Sequence, residues 1–456
     1  MEREVTAVFD IGKTNKKFFL FDRDFREVHR EYTHLETIPD GDGYPSEDLQ
    51  ALTDWMREVL ERALGSSQWD VKSLNFSTYG ASLVHLDAQG KPLTPLYNYT
   101  KPYEAALEDA FFKQYGPQID FERHTGTSRS GMLNSGLQLY WLRHRKPEIF
   151  QSIGVSLHLP QYLSFLFTGR RVSDYTSLGC HTALWDYRHN GYHAWVAAEG
   201  LDRVLAPLVP TETAYPVSFR GKELRVGVGI HDSSAALLPY LKSIKTPFAL
   251  LSTGTWSIAL NPFADGHLSA ADRGHDCINY MRVDGQPVKA ARLFLGNEFK
   301  LQLEALSARY GVGEHAYREV TFNRRLFERI RAEDRRLFHW ESLGASCPGK
   351  TRWEQPDFAA AYHQLLYELC QLQCSRLQAV LGSSGIDRLY VDGGFAGNAV
   401  FLEMLSRLLH PVKVHTANAS LGSALGAAVV LSGRKLRKGF LKTHYALQKH
   451  PLKNPS

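Results

Sequence analysis

One succession of elements occurs twice in this chain, and a single small core cannot hold it. In the first pass Val5-Thr6-Ala7-Val8-Phe9 and Phe18-Phe19-Leu20-Phe21 are apolar runs on either side of a polar turn around Gly12. That pattern predicts a hairpin over 4–22, followed by a third strand at 27–35. Leu49, Leu52, Trp55, Met56, Val59, Leu60 and Leu64 then fall at helical spacing. Pro45-Ser46-Glu47-Asp48 supplies a cap and early acids, and Gly65 an end. "SLNFSTYGAS" closes the pass as a strand running into a turn at Gly80. In the second pass "FALLSTGTWSIAL" repeats run, turn and run around Gly254. A third strand is predicted near Cys277–Val283, a helix over 357–381 follows a long insertion, and "RLYVDGGFAGN" is again a strand entering a glycine turn.

A duplicated order predicts two like α/β domains that face each other, each giving a hairpin turn to the cleft between them. Ligands of α/β folds gather at strand ends and in such clefts. The length of 456 residues agrees, because single cores stop growing at roughly 250–300 residues. The expected division is 1–241, 242–433 and a basic tail at 434–456. That tail holds seven lysines and arginines and no acid. It accounts for the net charge of +5 and leaves the body without the basic field of a nucleic-acid binder. A solvated, partly disordered end is the expectation for it. No apolar run approaches the length of a membrane span. The five cysteines, at 180, 277, 347, 370 and 374, show no metal-ligand spacing. Their odd number and the lack of a signal peptide point to a reducing, cytoplasmic setting.

Gly12-Lys13-Thr14 has the ending of a phosphate-binding P-loop, but position 7, where that loop needs its first glycine, is Ala7. A β-type run follows instead of a helix. A hairpin turn carrying Asp10, Gly12, Thr14 and Lys16 can still hold a phosphate with backbone N–H groups and cations; the other reading is an ordinary basic turn. A comparable turn at Gly254 on the opposite wall favours a nucleotide whose phosphates lie between the two. Elsewhere, "GIHDSSAALLPYL" sets His231-Asp232-Ser233-Ser234 in apolar surroundings at the start of a helix. Asp232 is then a helix N-cap, a proton acceptor, or both.

The set "FDIGKTNKK", "GIHDSSAA", "LLSTGTWSIAL" and "YVDGGFAGNAVFLEMLSRLL", in that order, resembles the FGGY carbohydrate kinases over residues 5–431, nearest to their L-rhamnulose and L-fuculose kinases. The resemblance implies two RNase H-like, actin-like ATPase domains across a deep cleft, with insertions, the sugar on the N-terminal side and the nucleotide on the C-terminal side. It implies ATP and Mg²⁺, with Asp10 helping to hold the ion. Gly12, Lys13, Thr14 and Lys17 would form the first phosphate turn, and Thr253, Gly254 and Thr255 the second. Gly296, Gly393, Gly394 and Asn398 would lie on the nucleotide side. Tyr79, Gly80, Ala81, Ser82 and His231 would lie around the sugar, and Asp232 would be the general base. The implied reaction is transfer of the γ-phosphate to a primary hydroxyl of a ketose, an L-rhamnulose- or L-fuculose-like deoxyketohexose first. The alternatives are D-xylulose, ribulose or glycerol, or an actin-like ATPase or sugar sensor without transfer. Sugar and MgATP are the expected partners, with neither nucleic acid nor membrane, and a homodimer is compatible with the apolar helix faces.

Two departures from the family pattern stand out. Lys13 and Lys17 occupy places where small hydroxyl residues and an arginine are usual, which keeps charge but loses bidentate geometry. Thr100 and Lys101 stand in "LYNYTKPY" where an Asp and an Arg often meet the sugar. Trp185 and Trp256 either stack on sugar or fill core, with core expected.

Overall fold

The computed structural model describes residues 2–344, 348–419 and 421–450, so Cys347 and the last six residues, Lys453 among them, lie outside the described residues. Two seven-stranded sheets carry the fold. The first contains β1 (Arg3–Ile11), β2 (Lys16–Asp22), β3 (Glu27–Thr33), β4 (Trp69–Thr78), β5 (Ala214–Phe219), β6 (Lys222–Gly227) and β7 (Ile230–His231). β1 pairs antiparallel with β2 and parallel with β4, and β2 continues antiparallel to β3. The second contains β8 (Ala249–Thr253), β9 (Ser257–Asn261), β10 (Cys277–Met281), β11 (Pro287–Leu293), β12 (Arg388–Gly393), β13 (Lys413–Thr416) and β14 (Gln448–Lys449). β8 pairs antiparallel with β9 and parallel with β12, and β9 continues to β11. The order third, second, first, fourth is therefore the same in both sheets, as the repeated sequence plan requires. One detail differs: the strand beside β9 is Pro287–Leu293, and Cys277–Met281 lies one place further out. Neither strand is strongly periodic, and the edge one was the more apolar of the two.

Helix α1 (Leu49–Gly65) covers one face of the first sheet, with Leu52, Met56, Val59 and Leu60 buried. Asp48 caps it by accepting hydrogen bonds from the Gln50 and Ala51 amides. Its neighbour Glu47 is not an early helix acid: it is buried and ion-paired to Lys13 and Lys16.

α2 (Asp232–Ser243) and α6 (Gly422–Ser432) cross between the two sheets; α3 (Leu295–Tyr310), α4 (Phe358–Leu381) and α5 (Ala399–Leu408) belong with the second sheet. One core cluster unites Val8 and Phe19 of the first sheet, Leu250 and Leu260 of the second, and Leu237, Leu238, Val429 and Val430 of the crossing helices. The crossing is close enough that a Cβ on Gly426 would lie 1.8 Å from the Ala235 carbonyl oxygen. α6 is further tied to the first sheet, because Asn75 donates to the Ala427 carbonyl and Arg225 to that of Leu431.

The basic end is not a loose extension over its described part. α7 (Phe440–Tyr445) buries Phe440, Leu441 and Tyr445, and β14 pairs with β13. Alternating apolar residues within a mostly cationic segment did the anchoring that net charge concealed. All four described cysteines are free and buried.

Gly426→Ala is expected to destabilise the protein by roughly 1–3 kcal/mol, the usual cost of overpacking. Gly422→Ala, where the added carbon meets nothing nearer than the Ala236 methyl at 3.4 Å, should be close to neutral. Thermal unfolding of the two variants side by side checks this, and equal melting temperatures would contradict it.

Candidate active site

Asp10 is the last residue but one of β1, and its carboxyl is buried. Burial raises its pKa; Lys17, 3.8 Å away, and hydrogen bonds from Ser423 and Ser77 act against that, while the charge on Asp232 adds to it. Asp10, Lys17, Ser423 and Asp232 therefore share one electrostatic neighbourhood, although they come from β1, β2, α6 and α2. Asp232 is the first residue of α2 and not its cap, a position taken by His231. Its carboxylate is 37% exposed and lines a cavity of about 470 Å³ together with Ser252, Asp392, Gly393, Gly394 and Ser423.

A second cavity, about 840 Å³, is lined by Gly254, Thr255, Gly296, Tyr317, Gly394 and Asn398, among others. Gly394 lines both, so the two spaces meet at the second glycine turn. Gly393 sits there at φ 80°, and a Cβ on it would strike the Thr253 carbonyl. Gly296 abuts the Gly254 turn between β8 and β9, since a Cβ would lie 2.0 Å from the Gly254 carbonyl oxygen. The Thr253 side chain has a task already: its hydroxyl donates to the Asp392 carbonyl and accepts the Phe395 amide, stapling β8 to β12. Gly254 and Thr255 are left exposed at the cavity. Asn398 caps α5 and donates to the Tyr362 hydroxyl, so it shapes the wall. Asn297, Phe299, Lys300, Tyr317, Arg318 and Tyr362 complete this cavity and carried no sequence signal, being spread over the insertion and two helices. Burial raises the Asp392 pKa to about 6, against hydrogen bonds from Ser252 and Tyr240.

On the other wall the hairpin tip closes through the Gly12 amide and the Asn15 carbonyl, leaving Thr14 exposed. Lys13 does not turn toward the glycine turn of the second sheet. Its ammonium lies 3.0 Å from Glu47 and 5.4 and 5.5 Å from the ring centres of Tyr79 and Tyr99. Tyr99 in turn feels the Asp232 charge, which, after burial, raises its phenol. Lys13 thus belongs with the wall of Tyr79 and Tyr99, on the side expected to take the sugar.

Gly80 is crowded by protein, since a Cβ there would meet Cys180 Sγ at 3.0 Å and the His231 ring at 3.2 Å. Ala81 and Ser82 are buried, and the Ala81 carbonyl accepts a hydrogen bond from Gln138. They form the frame behind the wall. His231 is buried and kept neutral by desolvation, with Nε2 3.1 Å from an Asp232 oxygen and 3.1 Å from Cys180 Sγ. Lys101 is buried on Asp40 and Asp42 at 2.6 and 2.5 Å, away from Asp232, and Thr100 is exposed. Trp185 is core as expected; Trp256 is not, being 47% exposed and packed on Phe294.

A divalent ion at Asp10 is compatible with these residues. The donors are one buried carboxylate and two hydroxyls, with no group of three or more acidic, histidine or cysteine ligands among the described residues. That is the chemistry of a hydrated Mg²⁺ completed by water and phosphate oxygens.

Comparison with known proteins agrees with this architecture. Residues 5–215 match the FGGY family of carbohydrate kinases, N-terminal domain, and residues 245–438 match carbohydrate kinase FGGY, C-terminal domain. An L-fuculokinase from Salmonella typhi is 25% identical over 273 residues, 57% of each chain. A rhamnulokinase from Halalkalibacterium halodurans is 26% identical over 263 residues, 54% of this chain and 52% of that one. The aligned part thus spans little more than half the length of these curated relatives. The crystal structure of a carbohydrate kinase from Novosphingobium aromaticivorans superposes with a TM-score of 0.81 at 25% identity, covering 99% of this chain and 95% of that one. A xylulose kinase from Rhodospirillum rubrum, at 18% identity, shares the fold with a TM-score of 0.80 over 99% of this chain and 94% of its own. With both domain families matched in order on a two-sheet actin-like fold, the chain belongs to the FGGY family of carbohydrate kinases.

Proposed function

We propose that this protein is an ATP-dependent sugar kinase that phosphorylates a primary hydroxyl of a ketose, with an L-rhamnulose- or L-fuculose-like deoxyketohexose as the first candidate. The observation that carries the reading is the accessible Asp232 carboxylate on the wall of the smaller cavity, which meets the larger one at Gly394. The larger cavity suits adenosine, with Tyr317, Tyr362 and Phe299 as apolar walls and the Gly393-Gly394 backbone open to close approach. Gly254 and Thr255 then face the phosphates from the C-terminal half, and the Gly12 turn faces them from the N-terminal half.

Asp232 accepts the proton of the attacking hydroxyl as the oxygen reaches the γ-phosphorus. His231 holds one edge of that carboxylate, and Lys13 with Tyr79 and Tyr99 forms the acceptor wall. Asp10 would hold Mg²⁺ through water and phosphate oxygens; when bound, the ion neutralises charge on the triphosphate. Burial of Asp10 strengthens whatever cation sits against it, because a desolvated carboxylate is stabilised by a positive partner. The acceptor contacts depart from the family pattern at Thr100 and Lys101, so L-rhamnulose, L-fuculose, D-xylulose, D- and L-ribulose and glycerol belong in one coupled ADP-release screen.

Three outcomes are expected. Asp232→Asn should lower turnover by about 10²–10⁴, the worth of a positioned base, with an unchanged melting temperature. Near-normal turnover would remove Asp232 from that role, and a wild-type protein that hydrolyses ATP without responding to any sugar would favour the ATPase reading. Lys13→Met should raise KM for the sugar at least roughly tenfold, the loss of one charged hydrogen bond, and leave KM for ATP within a factor of about two; the reverse split would return Lys13 to the phosphate turn. Gly296→Ala should weaken ADP binding by about tenfold or more in calorimetry, because a misplaced phosphate turn loses charge-assisted contacts. Wild-type affinity in that variant would show that the Gly254 turn does not depend on Gly296.

A further inference from the structure

The basic end of the chain, folded as described, builds a recess that the kinase reaction does not use. It measures about 240 Å³ and lies between the β2–β3 turn and the segment that leaves α6. Six cationic side chains line it: Arg23 and Arg26 from the turn, and Arg434, Lys435, Arg437 and Lys438 from the segment. Asp24 is its single acidic lining residue, and it is ion-paired to Arg437 at 3.0 Å. Arg23 is taken by Glu4. Among the described residues, Arg26, Arg434, Lys435 and Lys438 have no carboxylate within ion-pair distance, and all four are exposed. A neighbouring recess of about 180 Å³ shares Arg23, Phe25 and Arg434 with the first.

The backbone of the turn that carries Arg23 and Arg26 is fixed. Asp22 Oδ1 accepts the Asp24 and Arg26 amides, both at 2.9 Å. The Phe25 ring packs edge-on against buried Phe440 at 5.8 Å, which joins the turn to α7. Four unpaired cations converging on an ordered concavity repel one another, and a multiply charged anion relieves that repulsion. Guanidinium groups match phosphate oxygens bidentately and lysines add point charge. A concavity of this volume takes one or two phosphate groups; an extended polyanion or a bilayer calls for an open face.

We propose that this recess is a binding site for a small phosphorylated anion carrying at least two negative charges, separate from the cleft. Because its two walls come from the first sheet's hairpin and from the chain after α6, an anion seated there ties the C-terminal segment to the N-terminal sheet.

The test is calorimetric titration of the full chain with inorganic pyrophosphate, with ADP saturating so that the cleft is filled. A single site is expected, with affinity falling as salt is raised and falling at least roughly tenfold in Lys435→Ala/Lys438→Ala. Pyrophosphate should also raise the melting temperature of the wild type and not of the variant. Lys435→Gln/Lys438→Gln and Arg26→Gln serve the same comparison if the alanine pair folds poorly. Equal affinity in wild type and all variants overturns the proposal, as does no pyrophosphate binding outside the cleft. Binding of heparin or anionic vesicles with none of pyrophosphate overturns it in favour of a macromolecular surface. The contrast between variants does not depend on the kinase reading, since none of these residues touches the cleft cavities.

Discussion

The whole arrangement rests on a contact between two helices, where Gly426 of α6 lies against the backbone of Ala235 in α2. Each helix packs on the sheet of the opposite half, so the core they create belongs to both. Their near ends also hold the polar groups of the site: α2 starts with Asp232, and Ser423 of α6 reaches Asp10. A close helix crossing thereby fixes the separation of groups that lie far apart in sequence. Any side chain at 426 would widen that separation before it touched a ligand.

Electrostatics at the cleft floor run against the ordinary preference for solvated charge. Asp10 and Asp392 both have pKa values pushed up by burial, and Asp10 carries an added increment from Asp232. Concentrated, poorly solvated carboxylates are costly without a cation. The cost is met in part by Lys17 and by hydroxyl donors. The remainder is a field that favours positive charge between the halves.

Much of the fold was legible because it is periodic. The hairpins, the helices starting at Leu49 and Phe358, and the strand-to-glycine endings are local patterns, and their repetition exposed the two-sheet plan. What escaped is what sequence distance hides. The larger cavity draws on Gly296, Tyr317, Tyr362 and Asn398, which no local pattern unites. Lys13 looked like a phosphate ligand because its neighbours spell part of such a motif; Glu47, 34 residues away, decides where it points. Gly80 looked like a ligand-side glycine, and the crowding comes instead from Cys180 and His231. Lys101 stands where the family usually has an arginine beside the sugar, and Asp40 and Asp42 close around it instead. In each case a long-range ion pair or a packing contact, invisible to spacing, sets the surroundings of the residue.

Glu47 and Asp48 are adjacent in the chain and hold different things. Asp48 fastens the first turn of α1, while Glu47 grips both lysines at the hairpin tip, Lys13 and the fully buried Lys16. A dipeptide anchored at both ends behaves as a rigid coupling. A tilt of α1 would carry the tip of the β1–β2 hairpin with it, so that loop is coupled to the outer layer of its domain and has little freedom to flutter alone.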